Sequence, residues 1–582
     1  MTRATALEAM PRSAPVWGRS RSWLRYAPWV TVTLFLAPIA AGLLGTVLPA
    51  FGWLPAIGGR RFTLAPWSRL FSAPGIGDAI ALTVGTGLLA TVLSVLLVFG
   101  LCAQIHGRKP GRAGRGLMAP ILAAPHAAMA IGVGFLIAPS GWVVRLLSPW
   151  LTGWHQPPDI ATVQDPYGIA LMLGLLVKEV PYLLLMTFTA LGQVPAARQL
   201  EAAAMLGYGR TVAWLKLVLP QIYPQIRLPI YAVLAYALSV VDMSLILGPS
   251  NPPTLSVLAL RWFTAPDIRM YFPAAAAALL QLAIVLASIM LWRAGEAAVA
   301  HLGRRWIARG ARHTSLAALT RIAAAAVAGL AGLGLASLIA LGVWSFADGW
   351  PFPGFLPRHW SAHTWTRQFS MVVWPLETTL VVAVLASALA LLLVLACLEN
   401  EQRGGRATTS RALWLLYVPL LVPQIAFLFG AQVLLTVIHL DGSLLAVIWT
   451  HLLFVLPYVF LSLAEPWRAL DTRYARTASC LGTSPRRVFL RIKLPLLLRP
   501  VLVAVAIGLA VSVDQYLPTL FAGAGRVVTL TTEAVTLASG GDRRITGVFA
   551  LLQSLIPLAA YALAIGTPAR YQFHRRQPRG EA

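Results

Sequence analysis

Long apolar runs without a charged residue recur along this chain and constrain its fold more than any other feature. About 20 such residues cross the hydrocarbon core of a bilayer as a helix. Runs of this kind lie at 79–105, 117–144, 270–292, 322–346, 378–398, 412–440, 442–464 and 545–569, with another inside 26–59. Only 11% of the 582 residues are charged, whereas soluble domains carry about 25%. The sequence therefore indicates that lipid is the solvent of most of the chain.

Three further crossings contain charges and are predicted from hydropathy and internal symmetry, near 166–192, 226–249 and 498–521. Inside a bilayer the backbone must satisfy its own hydrogen bonds, which a helix does within one segment. The alternating pattern of a membrane β-strand is absent from these runs. We therefore predict an all-α integral membrane protein with about 12 transmembrane helices.

The net charge of +26 has the distribution that is typical of a membrane protein. If the N-terminus is cytoplasmic and 12 crossings follow, most Lys and Arg residues fall on the inner side, as the positive-inside rule requires. The C-terminus is then cytoplasmic as well. A nucleic-acid surface would be expected on a folded polar module, and no polar segment here is long enough. We predict no nucleic-acid partner.

Several segments occur twice at similar spacing. The segment that starts at Pro181 recurs from Pro457, Ser239–Asp242 recurs as Ser512–Asp514, and Leu279–Gln281 recurs as Leu551–Gln553. We predict two parallel six-helix repeats, since an even number of spans keeps the orientation, with a solute path between them. The predicted boundaries are a cytoplasmic segment 1–25, a first repeat 26–293, a basic linker 294–320, a second repeat 321–569 and a tail 570–582.

A polar loop with a central glycine occurs once in each repeat, on the predicted inner side. The loops lie near 198–220 and 473–495, and their matched positions are Glu201-Ala202-Ala203 with Arg476-Thr477-Ala478, Gly207 with Gly482, and Leu219-Pro220 with Leu494-Pro495. Alanine favours a helix, and a glycine with positive φ ends one sharply. Proline is accepted at the start of the next helix. We predict a short inner helix joined stiffly to the following span.

At these residues the sequence resembles the permease subunits of binding-protein-dependent ABC importers, whose loop has the pattern Glu-Ala-Ala, then Gly, then Leu-Pro. The resemblance covers both repeats and is strongest to fused double permeases for thiamine, ferric iron and related solutes, nearest to an uncharacterised thiamine-permease-like branch. It implies that each loop is a coupling helix that docks on a separate ATPase subunit. The residues with this implied role are Glu201, Ala202, Ala203, Gly207, Leu219, Pro220, Arg476, Ala478, Gly482, Leu494 and Pro495. Arg476 and Thr477 depart from the pattern, which implies weaker or different coupling there.

The resemblance also implies the partners. They are two cytoplasmic ATPase subunits, a periplasmic solute-binding protein and a small solute or ion, in a bacterial inner membrane. No Gly-x-x-x-x-Gly-Lys-Ser/Thr phosphate loop occurs in the sequence, so ATP is expected on the partner subunit. Cys102, Cys397 and Cys480 are too scattered for a metal site or a disulfide framework. We expect a transporter subunit with no catalytic residue, cofactor or metal of its own.

Four charged residues inside predicted spans are candidates for the solute path: Asp242, Asp514, Lys178 and Glu179. A charge at the bilayer centre costs about 2.5–3.5 kcal/mol, so these side chains are expected to face protein or water. Asp242 and Asp514 are repeat-equivalent, and they line or gate the path or hold the halves together. Lys178 and Glu179 are adjacent on one helix and do not face each other. Each is expected to have another partner, with solute contact as the alternative, and His126 is expected to pack.

Two other classes of protein compete with the ABC permease interpretation. One is an ion-gradient-driven secondary transporter with twelve spans, although the basic loop 107–112 lacks the Asp-Arg core of that class. The other is a membrane receptor or scaffold, which would not need two matched inner loops. The sequence leaves the solute open among thiamine, ferric iron, another metal complex and an oxyanion.

Overall fold

The computed structural model describes residues 23–105, 112–312, 316–404 and 410–575. Residues 1–22 of the predicted N-terminal segment, 313–315 of the predicted linker and 576–582 of the predicted tail lie outside these ranges. So do residues 106–111 and 405–409. Helices account for nearly all of the regular structure in the described ranges.

The α-helices of the first predicted repeat are α1 Ala27–Ala50, α2 Ala65–Phe71, α3 Ile76–Gln104, α4 Arg112–Ala123, α5 His126–Ile137, α6 Trp142–Leu147, α7 Ile169–Leu191, α8 Ala196–Met205, α9 Arg210–Ala213, α10 Leu219–Ser239, α11 Asp242–Leu247, α12 Leu255–Phe263 and α13 Tyr271–Ala308. Those of the second are α14 Ala317–Phe346, α15 His363–Gly404, α16 Ser410–Leu421, α17 Gln424–Val437, α18 Leu444–Arg468, α19 Thr472–Cys480, α20 Pro485–Val488, α21 Leu494–Leu496, α22 Leu498–Val513, α23 Leu517–Gly523, α24 Leu530–Ala538 and α25 Arg543–Arg575.

The remaining elements are short. Strands β1 Trp53–Leu54 and β2 Gly59–Arg60 form one antiparallel pair, and β3 Ala347–Asp348 and β4 His359–Trp360 form another. Single 3₁₀ turns lie at Trp23–Tyr26, Pro55–Ile57 and Ile268–Met270. Two π-helical turns, Trp214–Val218 and Phe489–Lys493, precede α10 and α21.

Nine helices in the described ranges are long and apolar enough to cross a membrane, and two bent pairs raise the number to 11. The remaining predicted crossing, near 226–249, is also helical, as α10 and α11. Helix α10 contains Arg227 and the internal prolines Pro224 and Pro229, and Arg227 lowers the apolar character of this crossing. The prediction of an all-α membrane protein with about a dozen spans is confirmed.

The third crossing of each predicted repeat is broken at a proline. Pro125 separates α4 from α5, and Pro423 separates α16 from α17, where the helix axes differ by 101°. Both prolines have the extended ψ that follows a helix stop, 152° and 131°. Proline lacks the N–H of a continuous helix, so each break leaves a helix N-terminus inside the membrane domain.

The first helix of each predicted repeat packs on the other repeat. Helix α1 lies along α17, and α14 lies along α3 and α5. Glycines permit the close crossings: a Cβ on Gly430 would lie 2.0 Å from the Gly42 carbonyl oxygen, and a Cβ on Gly132 would lie 2.6 Å from that of Ser337. The Gly430 N–H also donates to Thr46 Oγ1 at 3.2 Å. The two groups of helices are therefore interlocked.

Two glutamines bridge neighbouring helices. Gln281 Nε2 on α13 donates to the Leu238 carbonyl of α10 at 3.0 Å. Gln553 Nε2 on α25 donates to Thr531 Oγ1 of α24 at 2.8 Å. Both side chains are fully buried, so they hold helices together rather than meet solvent.

Candidate coupling loops and solute path

The first candidate coupling loop is α8 with the turn that follows it. Gly207 has φ +80°, so the predicted glycine stop is confirmed. The Gly207 N–H donates to the Ala204 carbonyl and the Tyr208 N–H to the Ala203 carbonyl, both at 3.0 Å. This pattern is the Schellman motif, which satisfies the last carbonyls of a helix. Leu219 and Pro220 then open α10.

The second candidate loop repeats this backbone 275 residues later. Gly482 has φ +74°, its N–H donates to the Ser479 carbonyl at 2.9 Å, and the Thr483 N–H donates to the Ala478 carbonyl at 3.0 Å. Leu494 and Pro495 open α21. The departures at Arg476 and Thr477 therefore leave the backbone of the loop unchanged.

A π-helical turn follows each loop at the same position. It begins seven residues after the glycine, at Trp214 in the first loop and at Phe489 in the second, and ends directly before Leu-Pro. Such turns are rare and occur often at functional sites. The sequence does not predict these turns, although the distance from glycine to Leu-Pro is the same in both loops.

Each loop buries its third motif position and exposes apolar residues at its tip. Ala203 and Ala478 are buried, whereas Glu201, Ala202, Gly207, Arg476 and Gly482 are exposed. At the tips, Met205 is 91% exposed, Leu206 65% and Leu481 80%. Exposed apolar side chains at the tip of a polar loop are a feature of protein interaction sites.

The two loops are anchored differently. In the second, Lys493 Nζ is buried and contacts Glu399 Oε2 and Gln402 Oε1 of α15, both at 2.7 Å. In the first, Lys216 Nζ is buried and donates to the Ala311 carbonyl at 2.8 Å. The first loop is thus held by the linker and the second by a transmembrane helix.

Lys178 and Glu179 have separate partners, as expected. Lys178 Nζ donates to the carbonyls of Ile121 at 3.0 Å and Ala124 at 2.6 Å, at the broken end of α4. A cation suits the unsatisfied carbonyls at a helix C-terminus. Glu179 Oε2 accepts from Ser94 Oγ at 2.8 Å. Both residues are buried, and their contacts join α7 to α4 and to α3.

His126 and Asp514 form a contact that the sequence does not predict. The His126 N–H donates to Asp514 Oδ1 at 2.6 Å, and His126 Nδ1 contacts Asp514 Oδ2. Asp514 thereby caps the N-terminus of α5, where a negative charge is favourable. His126 therefore joins the two predicted repeats, which goes beyond the packing role expected for it. Its place directly after Pro125, at a broken helix, was the signal.

Asp242 lies beside this pair. It is 8% exposed and stands first in α11, the helix that packs on α5. The Tyr236 ring lies 4.6 Å from the His126 ring. The His126 and Asp514 side chains remain 27% and 20% exposed. We call these four residues the central cluster, and it unites the two predicted aspartates.

No protein-family model matches the chain. The chain is similar to the inner membrane ABC transporter permease protein YnjC of Escherichia coli (strain K12), with 34% identity over 554 residues. The aligned part covers 93% of this chain and 96% of that protein. The similarity therefore extends over both loops and the central cluster.

Proposed function

Because this chain belongs to the inner membrane permeases of ABC transporters, we propose that it forms the solute path of an ATP-driven importer. It is a multi-pass protein of a bacterial inner membrane with both termini in the cytoplasm. It works with two cytoplasmic ATPase subunits, which hydrolyse the ATP, and with a periplasmic solute-binding protein. Family membership argues against a gradient-driven secondary transporter.

The observation that carries this proposal is the pair of matched loops. Each has the same glycine turn, the same π-helical turn and the same Leu-Pro helix start, 275 residues apart. Each also exposes a leucine at its tip, Leu206 in the first loop and Leu481 in the second. Two equivalent surfaces on one chain suit two copies of one partner, and the loops are where ATPase subunits would dock.

Each loop leads through one span to one carboxylate of the central cluster. Helix α10 runs from Leu219 to Ser239, three residues before Asp242. Helix α22 starts at Leu498 and ends at Val513, directly before Asp514. A displacement of either loop is therefore transmitted along a helix to the boundary between the repeats.

The bond between His126 and Asp514 gives this movement a consequence. It crosses from the first predicted repeat to the second, so it must break when the repeats separate along that boundary. We place the solute path at the central cluster, with Asp242 and Asp514 as lining or gating residues. Lys178 and Glu179 join α7 to the neighbouring helices α4 and α3, and in this proposal they stabilise the helices around the path.

The solute belongs to the small cargoes of this family, with thiamine-like compounds and ferric iron as the first to test. The central cluster combines two carboxylates with a histidine and a tyrosine, which offers hydrogen bonds and an aromatic face. The solute-binding protein of the same system would identify the cargo directly, by calorimetry against these compounds.

Reconstitution in proteoliposomes tests the proposal. The purified chain with its ATPase subunits and solute-binding protein should take up the solute only with ATP, and vanadate should stop uptake. The chain alone should transport nothing under a proton or sodium gradient. Gradient-driven uptake by the chain alone would overturn the proposal.

A further inference from the structure

The linker returns to the first coupling loop and binds it. Helix α13 continues to Ala308, well past the predicted end of its crossing at 292. The chain then turns, and the Gly209 N–H of the loop donates to the Arg312 carbonyl at 2.9 Å. Lys216 Nζ donates to the carbonyls of Ala311 at 2.8 Å and Trp306 at 3.3 Å.

Aromatic rings strengthen this attachment. The Lys216 ammonium lies 4.5 Å from the centre of the Trp306 ring and 5.5 Å from that of Tyr208. The Arg312 guanidinium lies 5.9 Å from the Tyr208 ring. Lys216 is only 8% exposed, and a buried ammonium is costly without such partners. The linker therefore completes the loop.

A second attachment fixes the cytoplasmic part of α13. Glu296 Oε1 accepts from Tyr223 Oη at 2.7 Å and from Tyr231 Oη at 3.0 Å, and both tyrosines are on α10. The linker is thus tied to the loop and to the span that the loop moves. It is expected to travel with the first coupling loop as one body.

The second loop is anchored to α15 and not to a linker of this kind in the described ranges. The residue equivalent to Lys216 is Arg491, which is exposed. A Cβ on Gly482 would meet no heavy atom within 4 Å, whereas a Cβ on Gly207 would lie 3.6 Å from Arg312 Nη1. Any partner that reaches Gly207 therefore meets Arg312, and a partner at Gly482 meets the second loop alone.

The two loops also differ in the number of cationic side chains that they expose. The exposed charged residues of the second loop are mostly cationic: Asp471, Arg473, Arg476, Arg486, Arg487 and Arg491. The first loop exposes only Arg198, Glu201 and Arg210. The linker adds four exposed arginines beside it: Arg304, Arg305, Arg309 and Arg312. In the described part of the chain, no carboxylate forms an ion pair with these four.

We propose that the first loop and residues 304–312 of the linker together form one basic docking face, which matches the basic face that the second loop forms alone. The partner is the acidic surface of an ATPase subunit, and this inference rests on the proposed function. Two identical subunits need two similar surfaces, and the linker supplies the positive charge that the first loop lacks. Opposite charges across such a contact speed and orient docking.

Basic segments beside a membrane also bind anionic lipid headgroups. The contacts of the linker favour the ATPase instead, because they place Arg312 against the turn at Gly207 rather than beside the apolar spans. The test must separate these two partners, and it must also separate failure of this inference from failure of the proposed function.

Photo-crosslinking provides the first arm. A benzophenone amino acid is placed at Leu206, at Leu481 or at Arg309 in the full chain, assembled with its ATPase subunits in nanodiscs. All three positions should crosslink to the ATPase. Crosslinks from Leu206 and Leu481 without one from Arg309 would overturn this inference and leave the proposed function intact. Without a crosslink from Leu206 or Leu481, the proposed function itself fails.

Binding of the ATPase subunit to the nanodisc-embedded chain provides the second arm. The triple variant Arg304→Gln, Arg305→Gln, Arg309→Gln should weaken one of the two binding sites about tenfold at low salt, since exposed ion pairs add modest increments. The matched control, Arg486→Gln, Arg487→Gln, Arg491→Gln, should weaken the other site similarly. Nanodiscs of neutral phosphatidylcholine should give the same loss as nanodiscs with phosphatidylglycerol. A linker effect confined to anionic nanodiscs, or no effect, would contradict the inference.

Discussion

Replacing Gly207 with valine tests whether the geometry of the turn is required for coupling. Gly207 has φ +80°, and an L-residue in the left-handed region costs about 1–2 kcal/mol. A Cβ at this position would meet only the flexible end of Arg312, at 3.6 Å. The penalty therefore comes from the backbone conformation and not from crowding. For a β-branched side chain we expect a penalty at the upper end of this range.

A penalty of about 1.4 kcal/mol changes an equilibrium tenfold, so the native turn should lose about that factor against alternative loop conformations. ATP hydrolysis stimulated by the reconstituted permease, and uptake of solute, should fall severalfold to tenfold. The amount of protein in the membrane should stay unchanged, because no transmembrane contact is altered. Gly482→Val should behave alike, since Gly482 has φ +74° and open space around it.

Asparagine is the matched control, because it accepts the left-handed region far better than valine. Gly207→Asn should retain most of the coupled ATPase activity and uptake in the same proteoliposomes. Full activity in Gly207→Val would show that the turn is dispensable. Equal losses in the Asn and Val variants would show that something other than φ is responsible.

Three further perturbations probe the interlocked helices, the anchor of the second loop and the central cluster. Gly430→Val should lower the free energy of unfolding by about 1–3 kcal/mol through overpacking, because its Cβ would lie 2.0 Å from a carbonyl oxygen of α1. The control Gly85→Val, where a Cβ meets open space, should change the free energy of unfolding far less. Glu399→Gln removes one partner of the buried ion pair with Lys493, so the free energy of unfolding should fall by about 3–5 kcal/mol, measured as a thermal shift. The double variant Glu399→Gln, Lys493→Met should recover part of this loss, and no recovery would argue against the pair. His126→Ala removes the side-chain contact with Asp514 between the repeats, so the basal rate of ATP hydrolysis without solute-binding protein should rise. An unchanged rate would count against a gating role for His126 and Asp514.

Local features of the loops were predictable because short-range rules determine them. Gly207 and Gly482 end helices where the glycine spacing placed them, and Leu219-Pro220 and Leu494-Pro495 start the next helices. Apolar run length likewise predicted the crossings. The π-helical turns were not predictable, because no residue type marks the insertion of one extra residue in a helical turn.

Contacts between the repeats could not be predicted from the sequence, because they depend on which helices pack together in the fold. Nothing in the glycines of α1 or α17 states that they cross each other, since isolated glycines in apolar helices are common. The pair formed by His126 and Asp514 needs the proline break and the approach of the two repeats together. In the sequence, Lys493 is one of many predicted cytoplasmic cations, and only the fold shows that it pairs with Glu399 of α15.

The distance between the two loops tests most directly whether force enters through them. Spin labels carried by noncanonical amino acids at Leu206 and Leu481 avoid the native cysteines, and double electron–electron resonance reports their separation. In the full complex, binding of ATP to the ATPase subunits should shorten this distance, and vanadate trapping should hold it short. A distance that stays the same across the nucleotide states, while the bound ATPase turns over, would contradict the account.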